Sequence, residues 1–234
     1  MLLNSICARI DITMIGGDVM LSNTIKDTMN EKYIYGAKLV GKYGFPRLEP
    51  TSIVPPDKAV PFHMAAKEKN PKQAVCHFFE DDYQFERIWN DCDRYIPMLK
   101  NFKEVCTPDF SAYLDMPMAM QIWNRYRNRA LAYYLWLNDV NIIPTVGWSN
   151  RDSYDWCFDG LPRCSTLAVS TNGCFSEEGK ECYRNGFKEM CKRLEPNRVV
   201  IIGREIEVDV NIEKIYLESF GQNMTKRAGN KNGR

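Results

Sequence analysis

Five short apolar runs, each followed by a longer segment of helical period, constrain this chain more than any other feature. They are Ala74-Val-Cys-His-Phe-Phe79, Phe102-Lys-Glu-Val-Cys-Thr107, Asn141-Ile-Ile-Pro-Thr-Val146, Thr166-Leu-Ala-Val-Ser170 and Arg198-Val-Val-Ile-Ile202. Runs of this length alternating with amphipathic helices are the pattern of βα units, whose strands pair in parallel and are covered on their faces. A complete eight-fold barrel needs eight such units. The expected fold is therefore α/β, a mostly parallel sheet of about five βα units in an open or incomplete barrel.

The intervening segments place the helices. Phe85, Ile88, Trp89, Cys92 and Ile96 fall at helical spacing, and Asp81 with Gln84 fits a capping box, which predicts one helix from about Asp81 to about Leu99. A second helix is expected from near Asp115, with Pro117 in its first turn. Its apolar stripe would be Ala119, Ile122, Trp123, Tyr126, Ala130, Tyr133 and Leu137, and its polar face Gln121, Asn124, Arg125, Asn128 and Arg129, with the arginines on a solvated or salt-bridged face. A third should be capped by Ser176 and bury Tyr183, Phe187, Met190, Cys191 and Leu194. Ile206 to Ile212 alternates with period two and reads as a half-exposed edge strand. Prolines are dense between Pro46 and Pro61, so residues 33–70 are expected to lie as an extended layer over the domain, anchored by Tyr43, Phe45, Leu48 and Phe62.

The expected organisation is an N-terminal extension over residues 1–32, a single α/β domain over 33–220 and a basic flexible tail over 221–234. Met20 is a candidate for the start of translation. No uninterrupted apolar segment supports a signal peptide or a membrane span, which points to a cytoplasmic protein. The formal charge of +1 provides no global field toward nucleic acid or anionic lipid, so a basic footprint would have to be local, as in the tail Thr225 to Arg234. Nine cysteines without a Cys-x-x-Cys pair, and only two histidines, fit reduced thiols better than a disulfide framework or a structural zinc site. His77, inside a strand, reads as a core residue.

In parallel α/β folds a ligand site gathers at the carboxyl ends of the strands. Those ends carry Glu80, Asp81, Asp82 and Tyr83, then Asp109, Phe110, Ser111 and Tyr113, then Trp148, Ser149 and Asn150, then Thr171, Asn172 and Gly173, then Arg204. Asp81, Asp82 and Asp109 are candidate catalytic carboxylates and candidate ligands of a hard cation such as Mg²⁺, which would allow metal-assisted phosphoryl chemistry. Each also has a structural reading as a cap or turn residue. Tyr83, Phe110, Tyr113, Trp148 and Asn172 are candidate ligand-binding residues, the aromatics by stacking on a base. Arg125 is the candidate partner for a rim carboxylate or a phosphate. Neither a Gly-x-Ser-x-Gly elbow nor a phosphate-binding P-loop occurs.

Tyr43-Gly-Phe-Pro46, Phe78-Phe79-x-Asp81-Asp82-Tyr83-x-Phe85-Glu86-Arg87-x-Trp89-Asn90, Thr107-Pro-Asp-Phe-Ser111, Asp115-Met-Pro117, Gln121-Ile-Trp-Asn124, Tyr126-Arg-Asn128, Ile143-Pro-Thr-Val146 and Cys157-Phe-Asp-Gly160 together resemble a domain-of-unknown-function family carried by bacteria, their mobile elements and phages. The resemblance spans about residues 42–203 and implies a cytoplasmic single-domain protein of phage or mobile-element character, with no activity to transfer. Three readings stay open. One is binding or processing of nucleic acid or nucleotides at the carboxylate-lined rim. Another is a non-catalytic factor that binds a host or phage protein, for example against host defence. The third is a small-molecule hydrolase or lyase on the same scaffold.

Overall fold

The computed structural model describes residues 27–222. After a small antiparallel hairpin, β1 (Leu39–Val40) and β2 (Phe45–Pro46), the chain builds two parallel sheets. The first holds β3 (Ala59–Pro61), β4 (Val75–His77), β5 (Glu104–Cys106) and β6 (Ile142–Ile143); the second holds β7 (Thr166–Ser170), β8 (Arg198–Ile202) and β9 (Glu213–Leu217). In both, the strands stand in chain order. A parallel bridge between Thr145 and Ala168 joins them, with Val146 N donating to Ala168 O at 2.8 Å and Ala168 N to Pro144 O at 2.9 Å. The result is a sequentially wound, all-parallel array of βα type that does not close into a barrel, since β3 and β9 end it without pairing to each other.

The five expected strands are all present, and two more flank them. β3 lies inside the proline-rich layer and ends at Pro61. A proline is tolerated there because an edge strand leaves one row of N–H groups unpaired. The segment expected as a strand at 206–212 does not pair. Ile206 and Val208 are each 5% exposed and pack into the helix-side core, which explains the alternation. The backbone there makes tight local bonds instead, Val210 N to Val208 O and Ile212 N to Val210 O, and the edge strand β9 follows it.

Helices pack on one face of the array and the other face is concave. Val75, Phe79, Cys106, Ile143, Ala168, Val200, Ile202 and Leu217 fill the concave side as a separate apolar cluster. Asn172, beyond the end of β7, donates to Phe79 O beyond the end of β4 at 3.2 Å. A bond between the ends of strands three places apart requires the sheet to curl. At the opposite end the proline-rich layer crosses β7 and β8: Thr166 N donates to Thr51 O at 2.7 Å, Thr166 Oγ1 to Ile53 O at 2.9 Å and Arg198 Nη1 to Ile53 O at 3.2 Å.

The helix expected over residues 81–99 is three short pieces, α2 (Asp82–Phe85), α3 (Arg87–Asn90) and α4 (Ile96–Leu99), after α1 (Phe62–Ala65). Asp91, at φ −155° and ψ 79°, leaves the helical region. Pro97 in the first turn of α4 has no N–H to continue a helix arriving from α3. The capping box does not form: Asp81 makes no side-chain cap bond, and Gln84 Nε2 donates to the Tyr83 hydroxyl. The long helices α5 (Met118–Leu137) and α6 (Glu177–Leu194) carry most of the regular structure. Ser176 Oγ accepts from Gly179 N at 3.0 Å, and α6 buries Tyr183, Phe187, Met190 and Leu194 as its spacing predicts, with Cys191 half-buried. Pro117, not Asp115, stands at the α5 boundary.

Among the described residues eight cysteines are free thiols, with Cys76, Cys92, Cys106 and Cys157 buried. No described helix is long and apolar enough to cross a membrane. Met20, Cys7 and the basic tail from Thr225 lie outside the described residues.

Glu104 on β5 is 3% exposed, and its Oε2 has no hydrogen-bond partner among the described residues. Burial pushes its carboxyl up from 4.5 to about 7. A carboxyl that binds its proton more tightly folded than unfolded lowers stability as pH rises from the unfolded toward the folded value. Urea unfolding at pH 5 and pH 8 should show the wild type losing up to about 3 kcal/mol at the higher pH through this group, at 1.36 kcal/mol per unit. Glu104→Gln should remove that part of the slope.

Candidate functional site

The rim residues singled out by sequence meet where the carboxyl ends of β4 and β5 face the N-terminal half of α5. The loop between β5 and α5 lies there, buried at Thr107, Pro108 and Phe110 and more open beyond. Such a loop needs donors and acceptors from its surroundings, and α5 supplies them. Asn128 Oδ1 accepts from Phe110 N at 2.8 Å, Asn124 Nδ2 donates to Ser111 O at 2.5 Å, and Gln121 Nε2 donates to Met116 O at 2.8 Å. Ser149 Oγ closes the row by donating to Gln121 Oε1 at 2.5 Å.

This reverses the orientation expected for α5. Gln121, Asn124, Arg125, Asn128 and Arg129, spaced to share one helix face, are buried, none more than 6% exposed. Ile122, Trp123 and Tyr126 are only half-buried, and Leu137 is exposed, while Ala130 and Tyr133 are buried as expected. The polar stripe faces inward because the loop and the chain after β6 supply hydrogen-bond partners for it.

The arginines divide the work. Arg125 Nη1 pairs with Asp109 Oδ1 at 2.6 Å, the side chains being 3% and 21% exposed. Burial pushes the Asp109 carboxyl above the usual carboxylate range, while the Arg125 charge pulls it the other way and Asp82 adds to the rise. A Cβ on Gly147 would stand 2.4 Å from Arg125 Nη1, so the chain after β6 approaches the guanidinium more closely than any side chain permits. Arg127 donates to Glu86 Oε1 at 2.6 Å and to Asn124 Oδ1 at 2.7 Å, with its guanidinium 3.7 Å from the Phe110 ring centroid. Arg129 donates to three carbonyls, those of Asp159, Thr145 and Cys157. Burial pulls its pKa down to about 9.

Of the candidate carboxylates, Asp82 and Asp109 come to the same corner. Asp82 accepts from Ser111 N and, at 2.9 Å, from Ser111 Oγ, which ties α2 to the loop. Asp81 is exposed at the start of α2. Among the described residues no three His, Cys, Asp or Glu side chains gather into a group able to hold a metal ion. The candidate aromatics separate. Phe110 is 0% exposed and packs on Phe85 at 5.0 Å, inside the core, not on the rim surface. Trp148 is half-buried, donates to Cys182 O at 3.2 Å and lies over Gly186, where a Cβ would stand 2.1 Å from its Nε1. Tyr83 and Tyr113 are 74% and 59% exposed. Asn172 is exposed and spans to Phe79 O.

Residues not singled out as site members complete the network: Ser111, Gln121, Asn124, Arg127 and Asn128. The signal for four of them was a run of polar side chains at helical spacing, which reads equally well as a solvent face.

Removing one member of a buried ion pair leaves the other unpaired, at a cost of about 3 kcal/mol or more. Arg125→Met should therefore lower the urea-unfolding free energy by about that amount, and adding Asp109→Asn to it should restore part of the loss. If the double variant is no more stable than Arg125→Met, the unpaired carboxylate is not the source of the loss.

Residues 37–219 match the family described as domain of unknown function DUF4417. The chain is 37% identical over 166 residues to the Gene 1 protein of Mycobacterium phage L5, covering 69% of this chain and 72% of that one. It is 35% identical over 166 residues to the Gene 1 protein of Mycobacterium phage D29, covering 69% of this chain and 61% of that one. No solved structure matches. The two relatives align over most of the chain, and the family match takes in every strand from β1 to β9, so this protein belongs to the DUF4417 family of domains of unknown function.

Proposed function

We propose that this phage-type protein is a binding factor for another protein, of host or phage origin, and that it docks through the outer side of the loop that α5 holds in place. One observation carries this reading. The polar groups of α5 that a ligand would need are engaged within the protein, those of Gln121, Asn124 and Asn128 by the loop backbone, while apolar side chains of the loop and of the first turn of α5 are exposed. Tyr113 and Leu114 of the loop and Met118 and Met120 of the first turn of α5 are 59%, 49%, 40% and 53% exposed, and the Asp82–Ser111 bonds hold α2, which carries Tyr83 at 74% exposed, against the loop. Exposed apolar groups in a contiguous stretch mark interaction surfaces, and tyrosine and methionine are enriched in the cores of such surfaces. A loop already ordered by internal hydrogen bonds loses little conformational entropy on docking.

The nucleic-acid reading has a specific point in its favour, since the exposed rings of Tyr83 and Tyr113 suit stacking on bases. Against it stand Arg125, which is buried and paired with Asp109, and the adjacent acids Asp81 and Asp82, which repel phosphate.

The two readings separate in one experiment. Affinity-tagged wild type and the variant Tyr113→Ala/Met120→Lys are purified from host cells in the presence and absence of phage, and co-purifying protein and nucleic acid are identified. The expected result is a defined protein held by the wild type and lost from the variant, with the two chains melting within a few degrees of each other. An identical protein set with both chains, or nucleic acid as the only material lost from the variant, overturns the proposal.

A further inference from the structure

The chain has only two histidines, and the fold brings both to the carboxyl ends of adjacent strands. Pro61 of β3 is in register with His77 of β4, and His63, two residues beyond Pro61 in α1, lies near enough for its charge to act on the His77 ring. Both oxygens of the Glu80 carboxylate engage His63: Oε1 accepts from the His63 backbone N–H at 3.1 Å, and Oε2 from Nδ1 of the ring. The carboxylate is nearly buried at 9% exposed, while the imidazole is 26% exposed. A carboxylate on Nδ1 places the proton there and leaves Nε2 as a lone pair. The Phe220 ring meets the imidazole edge-on, with centroids 5.2 Å apart, and supplies an apolar wall.

His77 completes the arrangement. Phe79 N donates to its Nδ1 at 3.2 Å, so the proton of the neutral ring sits on Nε2. That Nε2 has no acceptor among the described residues, in a side chain only 1% exposed. Burial pulls the ring's pKa down to about 3, which keeps it neutral across the working pH range. A buried donor without a partner costs free energy, and an arriving acceptor recovers it.

We propose that His63, oriented by Glu80, is the general base of a hydrolytic site for uncharged acyl esters, with His77 Nε2–H as the donor to the reacting carbonyl oxygen. In the step, His63 Nε2 takes a proton from water as the water oxygen bonds to the acyl carbon. The carbonyl π electrons move onto oxygen, where His77 Nε2–H receives them by hydrogen bonding. When the tetrahedral centre collapses, the ester C–O bond breaks, and the departing alkoxide takes the proton back from His63 Nε2, giving acid and alcohol. An uncharged substrate follows from the three consecutive acids Glu80, Asp81 and Asp82, which repel anions at this edge. Its chemical groups, His63, Glu80 and His77, are none of those assigned to docking, although Asp82 and Tyr83 follow Glu80 closely in the chain.

The test uses the full chain with p-nitrophenyl acetate as the probe. His63→Gln and Glu80→Gln are compared with the wild type and with free imidazole at equal concentration, and all three proteins are checked by thermal melting. The wild type should exceed imidazole, and His63→Gln should fall at least 100-fold below it, in the range that general-base catalysis contributes. Glu80→Gln retains an oxygen for the His63 backbone N–H but turns an NH₂ toward Nδ1. This forces the proton onto Nε2, with a comparable loss expected. A second readout is independent of turnover. Diethyl pyrocarbonate should carbethoxylate one imidazole in the wild type, none in His63→Gln, and Glu80→Gln far more slowly. Wild-type hydrolysis no faster than imidazole, equal rates in wild type and His63→Gln, or carbethoxylation unaffected by Glu80→Gln each overturns the proposal.

Discussion

A guanidinium removed from water needs an oxygen partner, and three such groups on one helix decide how this domain is assembled. Arg125, Arg127 and Arg129 find that oxygen in three different places: the Asp109 carboxylate, Glu86 with Asn124, and the carbonyls of Thr145, Cys157 and Asp159. Each is a demand on a different part of the chain, so α5 cannot rotate or slide without leaving a buried cation unpaired. The energy of any one pair is modest once desolvation is counted. What the set provides is a single orientation, because an apolar stripe of the same width would tolerate several.

This inversion marks the limit of what could be read from the sequence. The βα rhythm, the boundaries of β7 and β8, and the cap and buried side of α6 follow from local pattern. At those places the residues that prefer an element are also the ones that pack. β3 was hidden by its prolines, which are compatible with a strand only at an edge, and edge position is a property of the whole sheet. The break between α3 and α4 was legible in Pro97 but masked by an apolar spacing that continues through it. For α5, polar residues at helical spacing have two solutions, water or a buried loop. Only the tertiary position of residues 109–117 chooses between them.

The rim illustrates the same point for function. Asp82, Asp109 and Arg125 were legible as a group that belongs together, and the fold does bring them to one corner, where they organise a loop. Phe110 and Tyr113, three residues apart, divide between core and surface. His63 and Glu80 lie 17 residues apart in the sequence, with nothing local to link them, and meet only because β3 and β4 run side by side.

The strand order bears on how the chain assembles during synthesis. Within each sheet every strand pairs with the one that left the ribosome just before it, and the Thr145–Ala168 bridge links the two in the same order, so the array can lengthen at the pace of translation without holding an unpaired edge for a distant partner. Two contacts cannot form until late: Thr51 and Ile53 on the start of β7, and Asn172 on Phe79. These are the bonds that curl the array. A nascent chain halted before residue 166 would therefore carry a parallel sheet with its concave apolar face still uncovered, and the arrival of β7 is the moment at which that face gains a lining.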